Sequence, residues 1–227
     1  YVSTLNFACS NSAGKFLYGK KKYEIIPDAI DTQKFTYNLE TRQKIRKELK
    51  IDNDAFVIGH VGRFNIQKNH IFLIEIFEEI LKKNKNSYLV LVGDGELKEK
   101  IKKRVELKKT EKNVIFLGIR TNVNELYQAF DVFLFPSFFE GLGMTLIEAQ
   151  ISGLKCFTSL GVAEEAKITE NLHFIGLNKS ASFWAEEVLK YKEYKRYSHD
   201  KQAIECGFEI KKLAKEIGCT ENQMAQR

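Results

Sequence analysis

From about residue 56 the apolar positions of this chain fall into two alternating patterns. Short continuous apolar runs, Phe56-Val57-Ile58-Gly59-His60-Val61, Tyr88 to Val92, Val114 to Leu117 and Val132 to Phe135, have the length of buried strands. Between them lie stretches with helical spacing. Ile71 to Lys83 puts Phe72, Ile76 and Ile80 on one face, and Glu96 to Leu107, Val123 to Ala129 and the residues after Gly143 continue the alternation. Cys156-Phe157-Thr158 and His173-Phe174-Ile175 read as two further short strands. Strands that alternate with helices predict an α/β fold, a Rossmann-like, doubly wound parallel sheet covered on both faces. In such sheets ligands sit at the carboxyl ends of the strands, where the glycine-containing turns of this chain fall.

The two ends follow a different pattern. Residues 1–24 hold an apolar stretch, Val2 to Phe7, and a helix-like Ser12 to Gly19, and lead into Tyr23-Glu24-Ile25-Ile26-Pro27-Asp28-Ala29-Ile30-Asp31, a strand ending in a proline turn. Beyond residue 180, Ser182 to Tyr191 and Phe208 to Ile217 read as amphipathic helices. The expected division is therefore 1–24, 25–200 and 201–227.

The richest chemistry lies in Pro136-Ser137-Phe138-Phe139-Glu140-Gly141-Leu142-Gly143-Met144-Thr145-Leu146-Ile147-Glu148-Ala149. A strand stops at a proline, passes through a glycine-interrupted acidic turn and resumes as a helix. The free N–H groups and partial positive charge of a helix's first turn favour an anion, and Gly141 and Gly143 let a ligand approach the backbone. Glu140 and Glu148 cannot be there to hold a phosphate, so their natural partners are hydroxyl groups. The plainer alternative makes Glu140 a dipole partner of the helix and Glu148 a solvated helix residue.

This segment resembles the Glu-x7-Glu signature of the family 4 retaining glycosyltransferases of the GT-B fold. The resemblance implies that Glu148 holds the ribose of a sugar donor and that Glu140 contacts the transferred sugar, with Gly141, Leu142, Gly143, Met144 and Thr145 around the phosphates. It extends to Gly62-Arg63 and Lys68-Asn69, where Arg63 and Lys68 would neutralise the donor's diphosphate, and to Gly118-Ile119-Arg120, where the main chain near Arg120 would meet the nucleobase. Ile26-Pro27-Asp28-Ala29-Ile30-Asp31 resembles the family's interdomain crossing, with Asp-Ala in place of Asn-Gly. The implied organisation is the C-terminal, donor-binding half of a GT-B enzyme. Residues 1–24 would be a remnant of the acceptor domain, and residues 201–227 a helix turned back toward it. Gly153-Leu154-Lys155 lacks the proline usual before the last core strand. Ser159-Leu160-Gly161-Val162-Ala163-Glu164-Glu165 departs from Gly-Gly-x-x-Glu in a way that looks like the branch building capsular and exopolysaccharides.

Composition narrows the setting. With 227 residues, 44% of them hydrophobic, the chain can bury one sizeable core. No apolar stretch approaches the roughly 20 residues of a membrane-spanning helix. Cys9, Cys156, Cys206 and Cys219 are too scattered for a metal knuckle or redox pair and read as reduced thiols of a cytoplasmic protein. The formal charge of +6 resides in Arg42 to Lys50 and Lys98 to Lys112 at helical spacing, read as solvated faces without a nucleic-acid recognition motif. Lysines could still draw the protein to the anionic inner face of a membrane carrying a lipid-linked acceptor. Gly93-Asp94-Gly95 reads as a structural turn, Asp131 as a loop cap, and His60, His70, His173 and His199 as structural histidines without metal spacing.

The expected activity is hexosyl transfer with retention from a nucleotide diphosphate sugar, UDP-linked by preference, to a glycan or lipid-linked acceptor, with no metal or other cofactor. Two alternatives stand beside it. A glycoside hydrolase would use Glu140 and Glu148 as acid and nucleophile with carboxyls about 5–5.5 Å apart. A non-catalytic nucleotide-sugar-binding subunit would act only with a separate acceptor-domain chain.

Overall fold

The computed structural model describes residues 6–26, 28–216 and 218. The expectations for Val2 to Leu5, Pro27, Ile217 and Cys219 lie outside the described residues. At the beginning, β1 (Phe7–Ala8) and β2 (Glu24–Ile25) pair in parallel around α1 (Asn11–Tyr18), so a two-stranded sheet spans the expected boundary after residue 24. Ser10 caps α1 by accepting from the Ala13 N–H at 3.1 Å. Phe7, Phe16 and Leu17 are exposed here.

After α2 (Leu39–Glu48) the alternation foreseen from the sequence takes shape. The strands are β3 (Phe56–Val61), β4 (Ser87–Val92), β5 (Val114–Gly118), β6 (Val132–Phe135), β7 (Lys155–Ser159) and β8 (Leu172–Ile175). Between and beyond them run α3 (His70–Lys83), α4 (Lys98–Leu107), α5 (Val123–Ala129), α6 (Met144–Ile151), α7 (Ala181–Leu189), α8 (Asp200–Glu205) and α9 (Ile210–Glu216). The six strands form one parallel sheet in the order β5-β4-β3-β6-β7-β8. That is a Rossmann order, and it reverses between β3 and β6, where the loops leaving the two strands diverge and open a crevice.

Period-two alternation explains why the strand runs are apolar throughout. Ile58, Leu89, Leu91 and Leu134 point to the layer of α3, α4 and α7, joining Leu73, Phe77, Ile101 and Trp184. Val57, Val90, Phe133 and Phe135 point the other way, to Ile45, Leu126, Tyr127 and Leu146. A third apolar cluster, with Ile30, Leu142, Ile147 and Phe208, ties the loop before α6 to the chain's end.

Two expectations are corrected. Arg42 and Arg46 of α2 are not on a solvated face: Arg46 is fully buried and Arg42 partly so. Both pair with Asp131, at 2.6 and 2.7 Å, which also accepts from the Val57 N–H at 2.7 Å. Asp131 is thus an ion-pair centre rather than a simple loop cap. Helical spacing does not distinguish a guanidinium facing water from one facing the carbonyls at the end of another helix. The sequence also gave no sign of α8, which contributes only Ala203 to the core.

Residues 208–210 lie along the segment after β2. Ile30 N–H donates to Phe208 O at 2.8 Å, Ile210 N–H to Ile30 O at 3.0 Å, and the buried Glu209 carboxylate accepts from the amide and hydroxyl of Thr32. Among the described residues no helix is long and apolar enough to cross a membrane.

Candidate functional site

Four loops meet at the carboxyl end of the sheet. The turn after β3 carries Gly62, Arg63 and Lys68, and the loop after β6 carries Glu140 to Gly143. Backbone and side-chain bonds stitch the two across the switch point: Phe138 N–H donates to Gln67 O at 2.8 Å, and Gln67 Nε2 to Phe139 O at 2.9 Å. The Gly93-Asp94-Gly95 turn after β4 presses on the first of them. A Cβ at Gly93 would stand 2.1 Å from Gly62 O, and one at Gly95 2.6 Å from Phe64 O. These glycines therefore let one turn support another, the structural role foreseen for them, and set the height of the Arg63 loop.

The loop after β6 ends in a residue only glycine accommodates easily: Gly143 precedes α6 at φ +74°. The N–H groups of Gly141, Leu142, Gly143, Met144 and Thr145 have no hydrogen-bond acceptor among the described residues. They are five consecutive orphan donors at the N-terminus of an eight-residue helix, the kind of group a helix end offers to an anion. The Leu142 side chain is buried in the third cluster, and the Thr145 hydroxyl is buried without a partner, so these residues offer a ligand their backbone.

The charged side chains stand in pairs. Lys68 Nζ lies 2.7 Å from Glu140 Oε1 and 4.4 Å from the centre of the Phe135 ring, with both charged groups largely buried. Arg63 is exposed and, among the described residues, reaches only Glu96, at 3.5 Å. Arg120 turns to α2, with its Nη2 3.3 Å from Glu48 Oε1 and its Nε donating to Asn122 Oδ1, while Gly118 adopts φ +66° beside it. Lys68 and Glu140 thus come together directly before the segment of orphan N–H groups, whereas the Arg63 and Arg120 side chains are engaged elsewhere.

Glu148, in the second turn of α6, is half-buried. Its Oε2 accepts from the Tyr127 hydroxyl at 2.8 Å, and that hydroxyl oxygen is also 3.1 Å from Thr145 O. Burial pushes the Glu148 carboxyl up to about 7, against the opposing effect of the Tyr127 hydrogen bond. Tyr127 is the residue sequence reading missed. Its signal was a tyrosine beside Leu126 on a short amphipathic helix, which is usually packing alone.

Beneath Lys68 lie two buried histidines with rings 4.6 Å apart. His60 Nδ1 is 2.8 Å from Leu134 O, so that nitrogen carries the proton. Burial holds His60 well below the ordinary histidine range and His70 at about 4, with the Lys68 charge adding to both. They are neutral packing groups under the site. Among the described residues no three His, Cys, Asp or Glu side chains gather as a cation cage.

Residues 41–203 match the family model for glycosyl transferases group 1. The chain belongs to this family. Over 191 residues it is 35% identical to the putative glycosyltransferase EpsF of Bacillus subtilis, covering 81% of the chain and 49% of EpsF. It is 33% identical over 141 residues to the Escherichia coli UDP-Gal:α-D-GlcNAc-diphosphoundecaprenol α-1,3-galactosyltransferase, covering 61% of the chain and 36% of that enzyme. The chain thus spans about half the length, or less, of these curated relatives. Its fold superposes on Anabaena HepE, solved with UDP-glucose, with a TM-score of 0.78 at 19% identity over 99% of the chain and 64% of HepE. The family's fold is the Rossmann-like unit of the GT-B glycosyltransferases, as the sequence led one to expect.

Proposed function

We propose that this chain binds a nucleotide diphosphate sugar, UDP-linked by preference, and forms the donor half of a retaining hexosyltransferase of cell-surface polysaccharide synthesis. The observation that carries this reading is the row of five orphan N–H groups from Gly141 to Thr145, which begins next to the Glu140 that pairs with Lys68. A diphosphate is the ligand that satisfies several backbone donors and nearby cations together. The relatives lend the donor class: the galactosyltransferase is named for a UDP-sugar and a lipid-linked acceptor, and HepE was solved with UDP-glucose.

In this reading Lys68 leaves Glu140 for the diphosphate, and Arg63, held only loosely at the surface, swings to the same anion. Glu140 is thereby freed to meet the hydroxyls of the transferred sugar. The α6 N-terminus, Lys68 and Arg63 then stabilise charge as the diphosphate departs, without a metal. Glu148 takes the ribose, and the backbone around Gly118 and Arg120 lies along the base. The acceptor is a glycan or a lipid-linked sugar, with the enzyme working on the cytoplasmic side, at the inner membrane face where its acceptor is lipid-linked. Residues 1–24 and 201–227 adjoin the acceptor domain. A hydrolytic use of Glu140 and Glu148 gains nothing from a Glu140 already tied to a lysine.

Titration calorimetry of UDP and a panel of nucleotide sugars into the chain tests the reading. UDP should bind, and a matching UDP-sugar should bind with a further contribution that Glu140→Gln removes. Absence of UDP binding at millimolar ligand would overturn it.

A further inference from the structure

Tyr127 is fully buried on α5, its ring packed against Phe35, Phe130 and Phe133 at centroid distances of 5.9, 6.0 and 5.6 Å. Only its hydroxyl bears on the site. That oxygen is 2.8 Å from Glu148 Oε2 and 3.1 Å from the carbonyl oxygen of Thr145. A phenol carries one proton, and a carbonyl only accepts. Both contacts can be hydrogen bonds together only when Glu148 is protonated and donates to the phenol. When the carboxylate is ionised, the phenol proton turns to it, because the charge-assisted bond is the stronger. The contact between Tyr127 and Glu148 therefore survives either protonation state, and its orientation alone changes.

The location gives this contact a purpose. Thr145 is the second residue of α6 and one of the five backbone donors proposed for phosphate. One phenol oxygen thus spans the phosphate-facing turn and the carboxyl one turn further on. Glu148 Oε1 has no hydrogen-bond partner among the described residues, so the carboxyl is held at one oxygen and open at the other. A long, flexible side chain fixed in this way loses less rotamer entropy when a ligand arrives.

We propose that Tyr127 is a positioning residue for donor recognition, tethering Oε2 of Glu148 to the buried ring on α5 so that the free oxygen meets the vicinal hydroxyls of the donor's ribose. This rests on the nucleotide-sugar reading and adds to it a residue that touches no ligand.

The test compares UDP with 2′,3′-dideoxy-UDP, which lacks both hydroxyls, by calorimetry at pH 8 on the wild type, Tyr127→Phe, Glu148→Gln and the double variant. The wild type should prefer UDP by about tenfold or more. Tyr127→Phe keeps the ring and should lose most of that preference while its affinity for the dideoxy analogue stays within about twofold of the wild type. The double variant should show the preference of Glu148→Gln, since both changes disable one device. A Tyr127→Phe chain that retains the full preference, or that weakens both ligands equally, overturns the proposal. Glu148→Asp draws the carboxyl back from the phenol and provides a second route: it should lose the preference as Tyr127→Phe does, and a retained preference would also overturn the tether. A wild type that binds no UDP removes the donor reading along with the tether. A wild type that prefers UDP, beside a Tyr127→Phe variant with the same preference, removes the tether alone.

Discussion

The two ends of the parallel sheet hold the same kinds of residue in opposite states. At the amino end, three guanidiniums surround the C-terminus of α5. Arg42, Arg46 and Arg196 donate to the carbonyls of Tyr127, Gln128, Ala129 and Phe130, and Asp131 pairs with two of the three. Burial pulls Arg196 down to about 10, yet its Nε and both terminal nitrogens have an acceptor. At the carboxyl end, five N–H groups have none among the described residues, and Arg63 and Lys68 each rest on a single carboxylate. Saturated charge holds a fold together. Unsaturated charge waits for a ligand.

That contrast also marks what the sequence could reveal. The strand runs and the helices between them were legible, because period-two and period-3.6 patterns record which faces are buried. The loop from Pro136 to Thr145 was legible as a strand-to-helix junction with free backbone donors because a helix N-terminus announces itself through its glycines. Arg46 and Tyr127 were not. An arginine and a tyrosine on amphipathic helices have the same local pattern whether they face water, core or a carboxylate. Their roles come from α2, α5 and α6 meeting in space, which only the tertiary packing fixes.

Removing one member of the saturated end should have the largest effect. Arg46→Ala takes the guanidinium donor from the carbonyls of Asp52, Asn53 and Ala55, leaves Asp131 with only Arg42 and the Val57 N–H, and empties a wholly buried position; it should cost about 3–5 kcal/mol in urea unfolding. UDP affinity of the folded fraction should not change. A loss below about 1 kcal/mol would show that the amino end is as exchangeable as the other.

The opposite signature is expected of Lys68. Lys68→Ala should weaken UDP by about 1.5–3 kcal/mol in calorimetry. Glu140→Gln, which releases Lys68 from its partner, should leave UDP affinity equal or higher. Equal losses in the two variants would mean that the pair acts as a fixed structural unit like Arg46 and Asp131.

Glu148 lies between these extremes, and pH separates its two states. Its carboxyl is raised from 4.5 to about 7, so the folded chain holds a proton that the unfolded chain has released between those values. Stability from this group is therefore undiminished below about pH 4.5 and falls as pH rises toward 7, levelling off above it. Glu148→Gln should match the wild type at pH 4.5 and exceed it at pH 8 by about 2 kcal/mol, a figure reduced for the partial exposure of the group. Equal unfolding midpoints at pH 8 would show that the carboxyl carries no such penalty.

The smallest effect is expected at Arg63, where it sharpens the comparison most. Its contact with Glu96 is long, at 3.5 Å, and both side chains are more than half exposed, at 73% and 56%. Such a pair contributes about 0–1 kcal/mol, since water and salt screen it and two long side chains must be ordered to form it. Glu96→Gln should therefore leave the unfolding midpoint unchanged within error. It should also tighten UDP by about twofold at low salt, because the carboxylate that competes with the diphosphate for the guanidinium is gone. Raising the salt to about 0.5 M should erase that gain, whereas the Lys68 contribution, in a half-enclosed site, should persist in part. Weaker UDP binding in Glu96→Gln would mean that Glu96 holds Arg63 in place for the anion, and the carboxyl end would then be prearranged rather than exchangeable.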